Sequence, residues 1–144
     1  MKIAKDKDFI EKIKERTSNK LGLEPVFYNT NLELSVKDYL SKQSYLDSKK
    51  ATEIIKNKFS NDMPFGYVLK NKKGEIVGFM GTIFSLRNYG KDFKFCNIHT
   101  WIVDKEYRYY SYLPLMPLVE KNYSITAFTP IGPLSGLLEK FGFE

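Results

Sequence analysis

Apolar and polar positions change their period along the chain, which divides it into a helical first part and an extended second part. Between Asp8 and Leu21 the apolar residues Phe9, Ile10, Ile13 and Leu21 recur at near-helical spacing, with Asp8 placed to cap the start and Gly22 to end it. Pro25 precedes a short apolar run from Val26 to Tyr28. Ser35, with Asp38 three residues on, resembles a capping signal for a helix through Leu46. Ala51, Ile54, Ile55 and Phe59 then form one apolar face between Ser48 and Ser60, a further helix stopped by Asn61, Asp62 and Pro64.

At Gly66 the pattern turns extended. The run GYVLKNKKGEIVGFMGTIFSL predicts a hairpin whose strands meet at Asn71-Lys72-Lys73-Gly74. A polar loop around Asn88 to Asp92 leads to a third run, FKFCNIHTWIVD, whose β-branched and aromatic content favours a strand. The three make a meander. YLPLMPLVEKN follows as a helix with Pro114 in its first turn, SITAFT as another strand, and LSGLLEKFGFE as a short helix closed by Gly142. Strand, crossover and strand imply a parallel pair. The expected fold is therefore α/β (α+β): a mixed sheet in which an antiparallel meander is followed by a crossover helix and a parallel strand, with helices on both faces. No repeat or linker divides residues 1–144, which read as a single domain.

Composition narrows the function classes. With 144 residues, 42% hydrophobic and 15% aromatic, the chain can bury a core. It lacks a leader-like apolar segment and a membrane-length apolar run, which predicts a cytoplasmic protein with no membrane partner. One cysteine, Cys96, and one histidine, His99, cannot furnish the usual zinc ligand set, so no metal is expected. The net charge of +6 comes mostly from lysines before Gly74, dispersed among acids and asparagines. That is the pattern of a solvated helical surface, not of a basic stripe for nucleic acid.

The order strand, arginine-led loop, helix, strand, and helix ending in Gly-Phe resembles that of the GNAT (Gcn5-related) N-acyltransferases over roughly Gly66 to Glu144. WIVDKEYR, Trp101 to Arg108, is similar to their approach to the acyl-CoA loop, and LLEKFGF, Leu137 to Phe143, to their closing motif. The resemblance implies an acetyl-CoA-dependent enzyme acting on a small-molecule primary amine, with direct transfer in a ternary complex. It implies that backbone groups near Ile102 and Val103 bind the pantetheine and the thioester carbonyl. It also implies that Arg108, Tyr109, Tyr110, Ser111, Tyr112 and Leu113 form the pyrophosphate loop. The physical basis of such a loop is the convergence of unpaired N–H donors and dipole at a helix start. Two positions depart from the family pattern. Leu113 stands where Gly or Ala permits close approach, beside Pro114, and Leu138 stands where many members place a tyrosine acid.

His99 is the candidate general base, since imidazole titrates near neutral pH. Tyr109, or its neighbours Tyr110 and Tyr112, could supply a phenol to the leaving thiolate. Asp104 and Glu106 could meet an acceptor amine or stand as solvated turn carboxylates. A Cys96–His99 thiol pair is disfavoured because residues three apart on a strand face opposite ways, so Cys96 reads as a buried hydrophobe and Trp101 as a core residue. The Trp-x-Val strand, the Tyr- and Ser-rich loop and Thr129-Pro130 resemble a divergent bacterial subgroup found with polysaccharide biosynthesis, which suggests an amino-sugar acceptor. The alternative is a GNAT-like module that senses a ligand or binds a protein without turnover. Family members continue past Gly-Phe with further strands, so a longer natural chain, a second copy, as in a homodimer, or the N-terminal region is expected to complete the sheet edge.

Overall fold

The structure is a computed structural model that describes residues 21–44, 49, 50, 52, 53, 62–127, 136, 138 and 139. The helix expected over Asp8 to Leu21 lies outside the described residues, apart from Leu21 itself. Among the described residues, five strands form one sheet: β1 (Gly22–Val26), β2 (Gly66–Lys70), β3 (Ile76–Asn88), β4 (Asp92–Val103) and β5 (Ser124–Thr126). They lie in sequence order, with β1 to β4 antiparallel and β4–β5 parallel. This is the expected mixed sheet.

Each turn has a residue-level cause. At Asn71–Gly74, Asn71 Oδ1 accepts from the N–H groups of Lys73 and Glu75, and Gly74 takes φ 80°. At Tyr89–Lys91, Asn88 Oδ1 accepts from Gly90 N–H at 3.1 Å while Gly90 takes φ 86°. Pro25 sits in β1 at the sheet edge, where its missing donor costs no ladder bond.

Helix α1 (Asn31–Ser41) starts four residues before the expected Ser35. Thr30 caps it by accepting from Glu33 N–H at 3.4 Å, and Glu33 reaches back to Asn29 N–H at 2.9 Å. Asp38 is instead paired with Lys42 at 2.8 Å, a surface (i, i+4) contact. Of the apolar run Val26–Tyr28, only Val26 belongs to a strand, as the last residue of β1. The next helix is seen at residues 49, 50, 52 and 53, and the last at 136, 138 and 139, with their remaining residues outside the described set.

The crossover differs from the single helix expected over Tyr112–Asn122. It is two 3₁₀ segments, Lys105–Tyr110 and Leu113–Leu115, and a one-turn helix α2 (Met116–Glu120). Pro114 and Pro117 withhold two N–H donors from the first turns, and the chain tightens where α-type bonds cannot propagate.

The sheet carries a core on each face. On one side Val36, Tyr39 and Leu40 of α1 pack on Val26, Phe65, Val68, Phe79 and Ile102. On the other, Leu115, Met116, Leu118 and Val119 of the crossover pack with Met80, Cys96, Ile98, Ile125 and Leu138. Helices therefore cover both faces, as expected.

Candidate active site

The parallel pair is short. β4 meets β5 only at Phe95↔Ser124, Cys96↔Ile125 and Asn97↔Thr126, although β4 runs on to Val103. Among the described residues, Ile98 to Val103 have no strand partner on the side away from β3. A bulge accompanies this opening. Gly81 pairs with His99 and Phe79 with Ile102, so Met80 alone stands opposite Thr100 and Trp101. Thr100 takes φ 47°, a left-handed conformation that is strained for a β-branched residue. The bulge bends β4 just beyond its last pair with β5, so that among the described residues the pair opens as a fork, with Thr126 and Asn97 at its closed end. The Thr126 hydroxyl donates to Asn97 Oδ1 at 3.1 Å there, a cross-strand pair that no local sequence signal announced.

His99 sits at the mouth of this fork. Cys96 and Ile98 point into the crossover core, so Asn97 and His99 face the side of α1. The imidazole lies flat over Gly81: a Cβ at that position would stand 2.3 Å from Cε1 and 2.5 Å from Nε2. Glycine there is what lets the ring approach the backbone. Nδ1 lies 3.0 Å from Thr100 Oγ1, the neighbour displaced by the bulge. In the tautomer with the proton on Nδ1, the hydroxyl accepts it and Nε2 keeps a free lone pair. No described side-chain nitrogen or oxygen is fully buried without a partner, so Nε2, which has no partner among the described residues, keeps some contact with solvent. Burial pushes the imidazole below its ordinary value of 6.5, which keeps the ring neutral at physiological pH.

The loop after β4 is anchored at both ends. Asp104 N–H donates to the Val77 carbonyl at 2.8 Å, and its carboxylate accepts from the Tyr39 hydroxyl at 2.9 Å. At the far end the Trp101 indole donates to the Ser111 carbonyl at 3.0 Å. Trp101 is therefore half-buried and serves as a tether as well as packing against the core. Ser111 N–H and Oγ both donate to the Arg108 carbonyl, at 3.1 and 2.6 Å. Arg108 and Lys105 are exposed on this segment, while Asp104 is half-buried and Glu106 exposed. Leu113 is turned into the crossover core, so its bulk does not stand on the outer surface of the loop.

Of the remaining sequence candidates, Ile102 and Val103 are buried on opposite faces just beyond the bulge. Tyr110 and Tyr112 pack partly against the core, whereas Tyr109 is 72% exposed with its ring edge-on to Tyr110. Cys96 is fully buried, its thiol pushed up to about 12 by desolvation, and it faces away from His99. Leu138 is a core residue. No group of three or more metal-ligating side chains occurs among the described residues. No helix among the described residues is long and apolar enough to cross a membrane. Tyr39 and Asn97 were not read from the sequence, because their partners lie 65 and 29 residues away.

No protein-family model and no curated protein sequence matches the chain. Solved structures do. An acetyltransferase from Trypanosoma brucei superposes with a TM-score of 0.59 at 17% identity, over 86% of this chain and 92% of that one. Glucosamine-6-phosphate N-acetyltransferase from Arabidopsis thaliana superposes with a TM-score of 0.57 at 10% identity, over 86% and 91%. A GNAT-family N-acetyltransferase from Escherichia coli, solved in complex with CoA, gives 0.59 at 17% identity, over 87% and 69%. At these identities the likeness is one of fold: the chain has the fold of the GNAT N-acetyltransferases.

Proposed function

We propose that the protein is an acyl-CoA-dependent N-acyltransferase that moves an acetyl group from acetyl-CoA to a primary amine of a small molecule, by direct attack in a ternary complex. The observation that carries this reading is the strained β4 bulge beside the open β4–β5 fork, with an accessible imidazole nitrogen at its mouth. Among the described residues, the fork offers backbone edge with no strand partner at Ile98 to Val103 for a pantetheine arm, with Ile102 and Val103 nearest the loop. The loop beyond it offers the Arg108 and Lys105 cations, with Tyr109 to Tyr112 around them, and Leu113 leaves its surface clear. These features fit acetyl-CoA. The Arabidopsis neighbour's acceptor, an amino-sugar phosphate by its name, supports an amine of the amino-sugar class.

Bound there, acetyl-CoA supplies a thioester carbonyl carbon to which the amine nitrogen bonds as the carbon–sulfur bond breaks and the thiolate leaves. His99 Nε2 accepts the proton the amine must lose, and Thr100 fixes the ring by accepting from Nδ1. Because the buried ring is neutral near pH 7, no prior deprotonation is needed. Backbone N–H groups at the bulge polarise the carbonyl. The thiolate takes its proton from solvent or from Tyr109, the most open of the loop tyrosines.

A second reading has its own support. Ser111 is already engaged with Arg108, and Leu138 is buried core where a tyrosine acid would stand, as in a module that binds a CoA-like ligand without turnover. Melting temperatures with acetyl-CoA, desulfo-acetyl-CoA and adenosine diphosphate test both. A ligand at 100 times its Kd adds about 2.7 kcal/mol. A shift with the two CoA compounds followed by amine-dependent thiol release supports the enzyme. A shift without release supports a ligand-sensing module, and no shift at millimolar ligand overturns the enzyme and favours a module that binds a protein instead.

A further inference from the structure

The hairpin of β3 and β4 runs well past β2, which pairs with β3 only as far as Gly81. Its face on the His99 side is set by the register: Gly81↔His99, Ile83↔Asn97, Ser85↔Phe95 and Arg87↔Phe93 point the same way. Positions 81–87 and 93–99 that share this face contain no carboxylate. Phe93 and Phe95 are half-buried there, their rings 6.4 Å apart, and form an aromatic strip. The Arg87 guanidinium lies 5.5 Å over the Phe95 ring, exposed and in no ion pair with a described residue. Lys91 Nζ lies 5.2 Å over Phe93. From His99, four residues at about 3.3 Å each place Phe95 roughly 13 Å along the strand.

On the acetyltransferase reading above, on which this inference rests, the amine nitrogen stands at His99 and the rest of the acceptor extends along this strip. We infer that the acceptor is an elongated primary amine whose apolar or ring-shaped body lies on Phe95 and whose far end carries an anionic group held by Arg87. The chemistry of each part is definite. An aromatic face takes a sugar ring or hydrocarbon by dispersion and C–H contact. A guanidinium without a counter-ion takes a carboxylate or phosphate, bidentately and with little desolvation cost at an exposed position. A polycationic amine finds no complementary charge on this face and is repelled by Arg87 and Lys91.

The test uses the full chain saturated with desulfo-CoA, titrated calorimetrically with long and short ω-amino carboxylates, the long alkylamine lacking the carboxylate, and a polycationic aminoglycoside. The long amino carboxylate is expected to bind roughly three- to fivefold tighter than the alkylamine, the size of an exposed charge pair. It is expected to bind tighter than the short one, with the aminoglycoside weakest. Arg87→Ala is expected to erase the discrimination between carboxylate and alkylamine, and Phe95→Ala to weaken the long ligands together. High salt is expected to shrink the discrimination without Arg87→Ala. Failure of CoA to bind at all overturns the acetyltransferase reading and this inference with it. CoA binding with no carboxylate preference, or a preference that survives Arg87→Ala, overturns this inference alone.

Discussion

Gly81→Ala places one methyl group under the His99 ring and isolates what the position of that ring contributes. The added Cβ would stand 2.3, 2.5 and 2.6 Å from Cε1, Nε2 and Nδ1. Ordinary carbon contacts lie at about 3.5–4.0 Å, so the imidazole must retreat by about 1 Å or more. Gly81 has no positive φ, so the backbone tolerates alanine and the strain falls on the ring. Overpacking costs about 1–3 kcal/mol where nothing can move, and a ring with open surface at Nε2 yields at the low end of that range. A displacement of about 1 Å in a catalytic group costs about 10²-fold in rate, close to 2.7 kcal/mol of barrier. The assay is kcat from thiol release at saturating acetyl-CoA and amine, with acetyl-CoA affinity and Tm measured alongside. We expect kcat to fall about a hundredfold, affinity to stay within about twofold, and His99→Gln to leave the double variant no slower than His99→Gln alone. A folded Gly81→Ala protein with near wild-type kcat would refute the assignment of His99 as base.

Other substitutions and conditions test separate parts of the account. Burial depresses the His99 pKa, so the unfolded state binds the extra proton first on acidification. That contribution to stability is complete above pH 6.5 and is lost as pH falls through the lower folded value. Melting curves across this range should show the slope flatten in His99→Gln, and an unchanged slope would count against it. The kcat of the wild type should hold through neutral pH and decline only below 6.5. Tyr39→Phe removes the donor to Asp104 and should lower stability by about 1–2 kcal/mol and acetyl-CoA affinity severalfold, with kcat at saturation unchanged; unchanged affinity would show that the tether does not serve the loop. Cys96, its thiol pushed up to about 12 and fully buried, should resist alkylation in the native protein and react only on unfolding, as a time course with and without urea would reveal. Thr30→Ala should cost about 1 kcal/mol by removing the α1 cap, read from the denaturation midpoint, whereas Ser35→Ala at the expected cap position should cost less.

What was legible in the sequence followed from short-range chemistry. The two hairpins were readable because Asn71, Gly74, Asn88 and Gly90 adopt the conformations their turns require. The parallel pair followed from strand-crossover-strand order, and the separation of Cys96 from His99 from the two-residue period of β4. The α1 cap was misplaced because Ser35-x-x-Asp38 and Thr30-x-x-Glu33 are comparable patterns five residues apart, and tertiary packing of Val36, Tyr39 and Leu40 selects between them. The crossover was expected as one helix because its apolar content outweighed Pro117, whose missing N–H cannot bond the Leu113 carbonyl and so bars an α-helix running on from Tyr112, while Asn122 at φ 61° lies just past the end of α2. The candidate site was legible only residue by residue. His99 and the loop were candidates by residue type and order, whereas the bulge at Thr100, the glycine beneath the imidazole, and the Asn97–Thr126 and Tyr39–Asp104 pairs depend on register between distant segments.

The most direct test of the central claim is amine-dependent release of free thiol from acetyl-CoA by the full chain, with desulfo-acetyl-CoA as inhibitor and His99→Gln in parallel. The expected result is thiol release that requires a primary amine, is blocked by the desulfo compound, and falls at least tenfold in His99→Gln without loss of CoA binding. CoA binding with no amine-dependent release from any primary amine tested, or release indifferent to His99, would contradict it.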